Sequence, residues 1–403
     1  MLMYNRRNFL KQSALLGAAT LLPAGLSATE RFQSAAAKKP PVKKTPAKKL
    51  DTYTVNMGHV RAVPIPPRQI VIPDVEGFKV LKGDFHIHTI YSDGNVRPHE
   101  RVTEAVTNGL DAISITDHFE VSPNICQSNR WNIADHKDAN YNIAYEVAKS
   151  TADAKNVLLV RGGEITKGMP PGHFNALFTE DNNAVGAVLT DWRKMMQVAA
   201  DQGAFLLWNH PGWEAPKWGG IEKGAPLCFT DTHEEILKNG WMHGIEIYNG
   251  ANDEYYPIVS DWANEHDLAL FANSDNHPTE LDHYGVQNPL RPITLVLAKE
   301  RTVASLREAM FAKRIVAWAG GLLWGRDPWL PALFKASVVI KSITPGVLEL
   351  TNISSLPISV TTGGEVIELP KDISRQVYRA EGVNRITVAN WMVGMNKPLD
   401  WQW

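Results

Sequence analysis

The chain has 403 residues, 44% of them hydrophobic, and a formal net charge of −2. That length suffices for one large barrel or two ordinary domains with a sizeable core. The near-neutral balance excludes the polycationic signature of a nucleic-acid binder, and the two cysteines, Cys126 and Cys228, make neither a disulfide framework nor a CxxC zinc pattern.

The first 28 residues carry Arg6, Arg7 and Lys11 but no acid, and without them the chain has 38 basic and 43 acidic residues, a net of −5. The run Asn5-Arg6-Arg7-Asn8-Phe9-Leu10-Lys11 resembles the twin-arginine export consensus, with Asn5 where Ser or Thr is usual. The apolar stretch after it, residues 14–26, is broken by Gly17 and Pro23 and is too short for a membrane span. Residues 1–28 therefore read as a twin-arginine-type signal peptide, which predicts a periplasmic protein with no stable membrane span after cleavage. Residues 29–52, rich in Lys, Pro and Ala, read as a linker, because so little large apolar surface cannot bury a core.

From about residue 78 short apolar runs alternate with helical stretches. Strands are predicted over 79–89, 111–116, 157–166, 174–178, 204–209, 244–248, 268–273 and 293–297. Helices are predicted over 97–109, 141–154, 192–202, 232–239, 257–266 and 303–313. The alternation implies parallel βα units, and about seven of them in about 250 residues imply an α/β fold, an irregular (β/α)7 barrel. The barrel is assigned to residues 53–326. Asp327-Pro328-Trp329-Leu330-Pro331 reads as a linker into a small β-rich C-terminal domain, 327–403. There, β-prone runs at 337–340, 347–350, 358–361, 366–369 and 385–388 alternate with turn signals, the pattern of an antiparallel β-sandwich.

The chemistry is concentrated where the predicted strands end. The first ends in His86-Ile87-His88, and two histidines at i and i+2 point to one side. Asp93 follows in Ser92-Asp93-Gly94. Later strands end in Asp117-His118, Glu164, His173, Asn209-His210-Pro211 and Asp275-Asn276-His277. In a barrel those ends converge on one mouth. Six histidines and three carboxylates exceed the roughly four ligands of one ion and suit two or three divalent ions with a bridging carboxylate.

The run HxHT–SDG, TDH, Glu, His, NHP and SDxH resembles the PHP family, named for polymerase and histidinol phosphatase. The resemblance spans about residues 80–320, and all nine ligand positions are filled. With the leader and the β-rich C-terminus, the layout is similar to that of the family's exported phosphodiesterases. The resemblance implies three metal positions: His86, His88, Glu164 and Asp275; Glu164, His173 and His210; and Asp93, His118 and His277. Glu164 would bridge two of them. Mixed nitrogen and oxygen ligation is compatible with Zn, Mn or Fe.

The implied reaction is hydrolysis of a small phosphate ester, diesters ahead of monoesters, by hydroxide generated on the ions. No nucleic-acid partner is expected. Glu164, His173 and Asp117 are the residues assigned to catalysis, with orientation of the strand-end loop as the competing role for Asp117. Arg130, Lys167 and Asn249 are candidate substrate contacts. Trp131, Trp208, Trp213 and Trp218 can shape an apolar pocket or simply pack. The alternatives are a phosphomonoesterase, an amidohydrolase-like enzyme cleaving C–N or C–O bonds, and a non-catalytic envelope metal-binding protein.

Overall fold

The computed structural model describes residues 67–123, 136, 138–212, 227–284, 290–362, 364–378 and 384–402. The signal-peptide and linker assignments lie outside these residues, as do Cys126, Arg130, Trp131, Trp213 and Trp218. No helix among the described residues is long and apolar enough to cross a membrane.

Eleven described strands precede residue 326: β1 (Lys79–Asp84), β2 (Ala112–Ile115), β3 (Leu158–Ile165), β4 (Phe174–Leu177), β5 (Phe205–Trp208), β6 (Gly244–Asn249), β7 (Glu254–Tyr255), β8 (Ala269–Asn273), β9 (Ile293–Ala298), β10 (Ile315–Ala319) and β11 (Leu322–Gly325). Seven follow: β12 (Val338–Thr344), β13 (Val347–Asn352), β14 (Ser359–Thr361), β15 (Ile367–Glu368), β16 (Ser374–Tyr378), β17 (Arg385–Gly394) and β18 (Lys397–Gln402). Strands β2, β4, β5, β8 and β9 are buried at every position. Such runs belong to a sheet covered on both faces.

The helices that cover it start and stop on local signals. Helix Pro98–Thr107 begins with proline in its first turn, where the missing N–H has no intrahelical partner to lose. Asp191 caps helix Trp192–Asp201 by accepting from Arg193 and Lys194 N–H. Asn156, at φ 55°, closes helix Ile143–Lys155 in the left-handed conformation.

The sheet is mixed, with parallel runs at its centre. β1, β2 and β3 pair in parallel, as do β5, β6 and β8. The predicted strictly parallel alternation fails between these runs, because β3, β4 and β5 pair antiparallel. The link from β3 to β4, residues 166–173, is too short for a crossover, which needs a dozen residues or more. On the other side of β1, strands β9, β10 and β11 are also antiparallel.

β1 is shorter than predicted and stops at Asp84. His86 and His88 sit just beyond it, flanking Ile87, which forms a parallel bridge with Asn276. The backbones after β1 and β8 are joined there: Asp275 N–H donates to His86 O at 2.8 Å and His88 N–H to Asn276 O at 3.1 Å.

In the C-terminal region a helix, Trp329–Ser337, replaces most of the predicted linker. β12, β13 and β16 form a separate three-stranded antiparallel sheet. β14, β15, β17 and β18 instead continue the main sheet, because β11 pairs in parallel with β17. The closing residues do pack: Trp401 lies 5.5 Å from Phe334, ring to ring.

Candidate metal centre

The nine ligand-type residues come together at one end of the central strands. His86, His88 and Glu164 are fully buried, and Asp275 is 7% exposed. His88 Nε2 and His86 Nε2 lie 3.0 and 3.2 Å from Asp275 Oδ1, and 3.4 and 3.6 Å from Glu164 Oε2. All four atoms are buried and make no hydrogen bond among the described residues, although His118 Nδ1 also comes within 2.8 Å of Glu164 Oε2. Unsatisfied polar atoms packed this tightly are costly unless something electron-poor sits among them. Ligands about 2.1 Å from a tetrahedral ion lie about 3.4 Å apart, so the spacing fits a divalent cation.

Two further groups adjoin this one. Glu164 Oε1 is 3.0 Å from His173 Nδ1 and 3.6 Å from His210 Nε2. Asp93 faces His118 Nε2 at 3.4 Å and His277 Nε2 at 3.3 Å. Within the described residues, the sets His86–His88–Glu164, His86–His210–Asp275, Glu164–His173–His210 and His88–Asp93–His118–His277 each bring ligand atoms within 4.8 Å of one another. Glu164 thus faces two sets with its two oxygens. His88 adds a feature absent from the sequence assignment, since it also reaches the Asp93 set.

Protonation follows from the same crowding. Burial favours a neutral carboxyl, yet His118, His86 and His173 hold Glu164 well below the ordinary carboxylate range. Burial pushes the His88 imidazole down to about 3, with His277 and His118 adding to it, and pushes His173 down to about 4. The Glu164 carboxylate is thus held ionised and His88 and His173 neutral, the states that bind metal, whereas the neighbouring carboxylates push His86, His118, His210 and His277 up against the opposing pull of burial, so that a cation bound there would displace protons from them. The backbone is strained at two of these positions: His210 sits at φ 23° and Asp275 at φ 49°. Such conformations persist only where surrounding contacts enforce them.

A PHP domain matches residues 84–284, the stretch that holds all nine residues. A two-domain protein from Bacteroides vulgatus ATCC 8482, containing a predicted PHP-like metal-dependent phosphoesterase, is 30% identical in sequence, with a TM-score of 0.73. The match covers 84% of this chain and 98% of that one. The chain belongs to the PHP domain family. A protein proposed to be a metal-dependent phosphoesterase, from Bifidobacterium adolescentis ATCC 15703, is 15% identical over 48% of this chain and 87% of its own, with a TM-score of 0.35. An amidohydrolase from Chromobacterium violaceum, solved with sulfate and no metal, is 13% identical over 49% and 87%, with a TM-score of 0.32. Those two likenesses add nothing to the assignment. No curated protein matches in sequence.

Around the ligand-type residues of this PHP domain lies a shell of polar residues that the sequence pattern does not reveal. Glu246, buried mid-strand in β6, accepts from His86 Nδ1 at 2.9 Å, His210 N–H at 2.8 Å and Asn273 Nδ2 at 2.9 Å. It fixes the His86 tautomer so that Nε2 turns toward Asp275 and Glu164. Asn209 Nδ2 donates to Glu164 Oε1 at 2.9 Å. Arg101, 1% exposed, donates to the carbonyls of His88, Asn276, His277 and Pro278 at 2.8–2.9 Å and so ties the two ligand loops together. Nothing in the pattern of helix Pro98–Thr107 distinguishes Arg101. Glu246 did leave a signal, a lone carboxylate between Ile245 and Ile247 in an otherwise apolar strand. Gly94 serves a different need: a Cβ there would come within 2.7 Å of the His88 backbone.

A pocket of about 530 Å³ opens beside these residues, lined by Asp93, His118, His173, His210, Asp275 and His277. Its other walls are Glu120–Thr166–Lys167–Gly168 and Ala251–Asn252–Pro278–His283. Of the three assigned catalytic residues, Glu164 and His173 lie at the centre. Asp117 lies behind it, accepting from Thr89 N–H at 2.7 Å, Thr89 Oγ1 at 2.6 Å and Ser92 Oγ at 2.5 Å, which orients the loop after β1. Of the substrate candidates, Lys167 is on the pocket wall. Asn249, 1% exposed, donates to Glu246 Oε2 at 3.0 Å and Asp275 Oδ2 at 3.3 Å, which makes it a support for Asp275. Trp208 packs in the core, stacked on His233 at 4.0 Å.

Proposed function

We propose that this PHP protein is a metal-dependent phosphoesterase acting on small phosphodiesters, with up to three divalent ions held by the nine residues. One observation carries the reading: four buried ligand-type atoms of His86, His88, Glu164 and Asp275 face one another without a hydrogen bond to any described residue. The similar protein from Bacteroides vulgatus supports the same class of activity.

Divalent ions bound there would supply Lewis-acid charge to the phosphoryl oxygens and a water acidic enough to attack at neutral pH. The chain does the rest. Glu246 and Asn249 hold His86 and Asp275 in register, and Arg101 fixes the loops that carry His88 and His277. The pocket walls orient the ester. The diester preference rests on those walls: among the described lining residues Lys167 is the sole lysine or arginine, and Glu120 is paired with it. A dianionic monoester would want more positive charge than that. The leader-like Asn5–Lys11 run supports export to the periplasm, in line with the layout of exported phosphodiesterases.

The test is hydrolysis of bis-p-nitrophenyl phosphate and p-nitrophenyl phosphate by metal-loaded protein, with Glu164→Gln as control. We expect turnover of the diester above the monoester, and its loss in the variant. Bound metal with no turnover of either ester would end the phosphoesterase reading.

A further inference from the structure

One ion pair lies on the pocket wall beside the ligand-type residues and touches none of them directly. Lys167 Nζ lies 2.5 Å from Glu120 Oε1 and donates to the Leu189 carbonyl at 2.8 Å. The other Glu120 oxygen accepts from Thr166 N–H at 2.9 Å, so the carboxylate is anchored to the loop that carries the lysine. The side chains are 14% and 20% exposed, and both line the cavity shared with Asp93, His118 and His173. The lysine therefore faces the substrate space with its charge opposed.

The consequence depends on the ester. A phosphomonoester carries about −1.5 to −2 near neutral pH, whereas a diester carries a single charge. An unopposed ammonium on the wall would favour the more highly charged species, because Coulomb attraction scales with charge. A paired ammonium offers a polar donor with little net field.

We propose that Glu120 is a specificity-determining residue, selecting diesters over monoesters by cancelling the charge of Lys167. This rests on the phosphoesterase reading. Glu120→Gln removes the charge and keeps an oxygen able to accept from Thr166 N–H. Lys167→Met removes the cation and leaves the carboxylate.

The experiment measures kcat/KM for bis-p-nitrophenyl phosphate and p-nitrophenyl phosphate at pH 8 in metal-loaded wild type, both single variants and the double variant. A second readout, independent of turnover, is the rise in melting temperature caused by inorganic phosphate. We expect Glu120→Gln to lower the diester-to-monoester ratio about tenfold, mainly through KM for the monoester, and to enlarge the phosphate-induced rise. Lys167→Met should raise the ratio, and the double variant should return it toward the wild-type value. An unchanged ratio in Glu120→Gln with normal metal content would overturn the proposal. If that variant does not fold, an unchanged or lowered ratio in Lys167→Met overturns it instead. A wild type that turns over neither ester refutes the underlying reading, a result visible without any variant.

Discussion

Two sets of buried polar groups lie side by side in this molecule and differ in how completely they are satisfied. In the frame, Arg101 has a partner for every guanidinium N–H: Nε to His88 O, Nη1 to Glu104 and Pro278 O, and Nη2 to Asn276 O and His277 O. Glu246 likewise accepts from His86, His210, Asn249 and Asn273. In the floor, His86 Nε2, His88 Nε2, Glu164 Oε2 and Asp275 Oδ1 have no hydrogen-bond partner among the described residues. Satisfied buried networks are rigid, and unsatisfied buried atoms are costly. The frame thus holds the floor in an arrangement it would not keep alone, which is the preorganisation a cation site requires.

Breaking the floor should have the largest effect. Glu164→Gln removes the carboxylate that faces two ligand sets, and we expect kcat/KM for the diester to fall roughly 10³-fold, with a measured loss of bound metal. Breaking the frame at Arg101 comes next. Arg101→Met strands four carbonyls, two of them fully buried, and Glu104, and should lower stability by about 3–5 kcal/mol in urea unfolding, in proportion to what is lost when one partner of a buried charged network is removed. Glu246→Gln keeps the shape and weakens the hold on His86. Metal affinity should drop about 10–100-fold in a chelator competition, with the fold intact by circular dichroism.

The smallest effect separates a satisfied histidine from the ligand histidines. His243 Nδ1 accepts from Leu206 N–H at 3.0 Å, and burial pushes its imidazole down to about 4. The unfolded chain, with an ordinary value near 6.5, takes up the proton first as pH falls. The contribution of His243 is therefore complete above pH 6.5 and is lost progressively down to about pH 4. Wild type should lose about 1 kcal/mol more than His243→Asn between pH 6.5 and 5.5, measured by urea unfolding. Equal slopes for the two proteins would show that His243 is not held neutral.

The floor was legible in the sequence and the frame was not. His86, His88, His118 and Asp275 sit in short polar clusters just after apolar strands, and Glu164 stands at the end of one behind Gly162-Gly163, so all five stand out from their surroundings. Frame residues lie inside ordinary elements, and their roles depend on which carbonyls the fold brings within reach. Arg101 is one arginine on a helix until Asn276 and His277 arrive from 175 and 176 residues away along the chain. Sheet direction was misread for a related reason. Periodicity marks β3, β4 and β5 as strands, but their antiparallel pairing is set by a short link and by packing. Strands β10 and β11 carried a usable signal, the Gly320-Gly321 pair at φ 53° and 85°, which suits a tight hairpin.

The floor and its neighbours are expected to hold more than one divalent ion. Elemental analysis of purified protein, loaded with metal and freed of excess, tests it directly. We expect two or three divalent ions per chain, falling in Glu164→Gln. A single ion per chain, or a content unchanged in that variant, would contradict it.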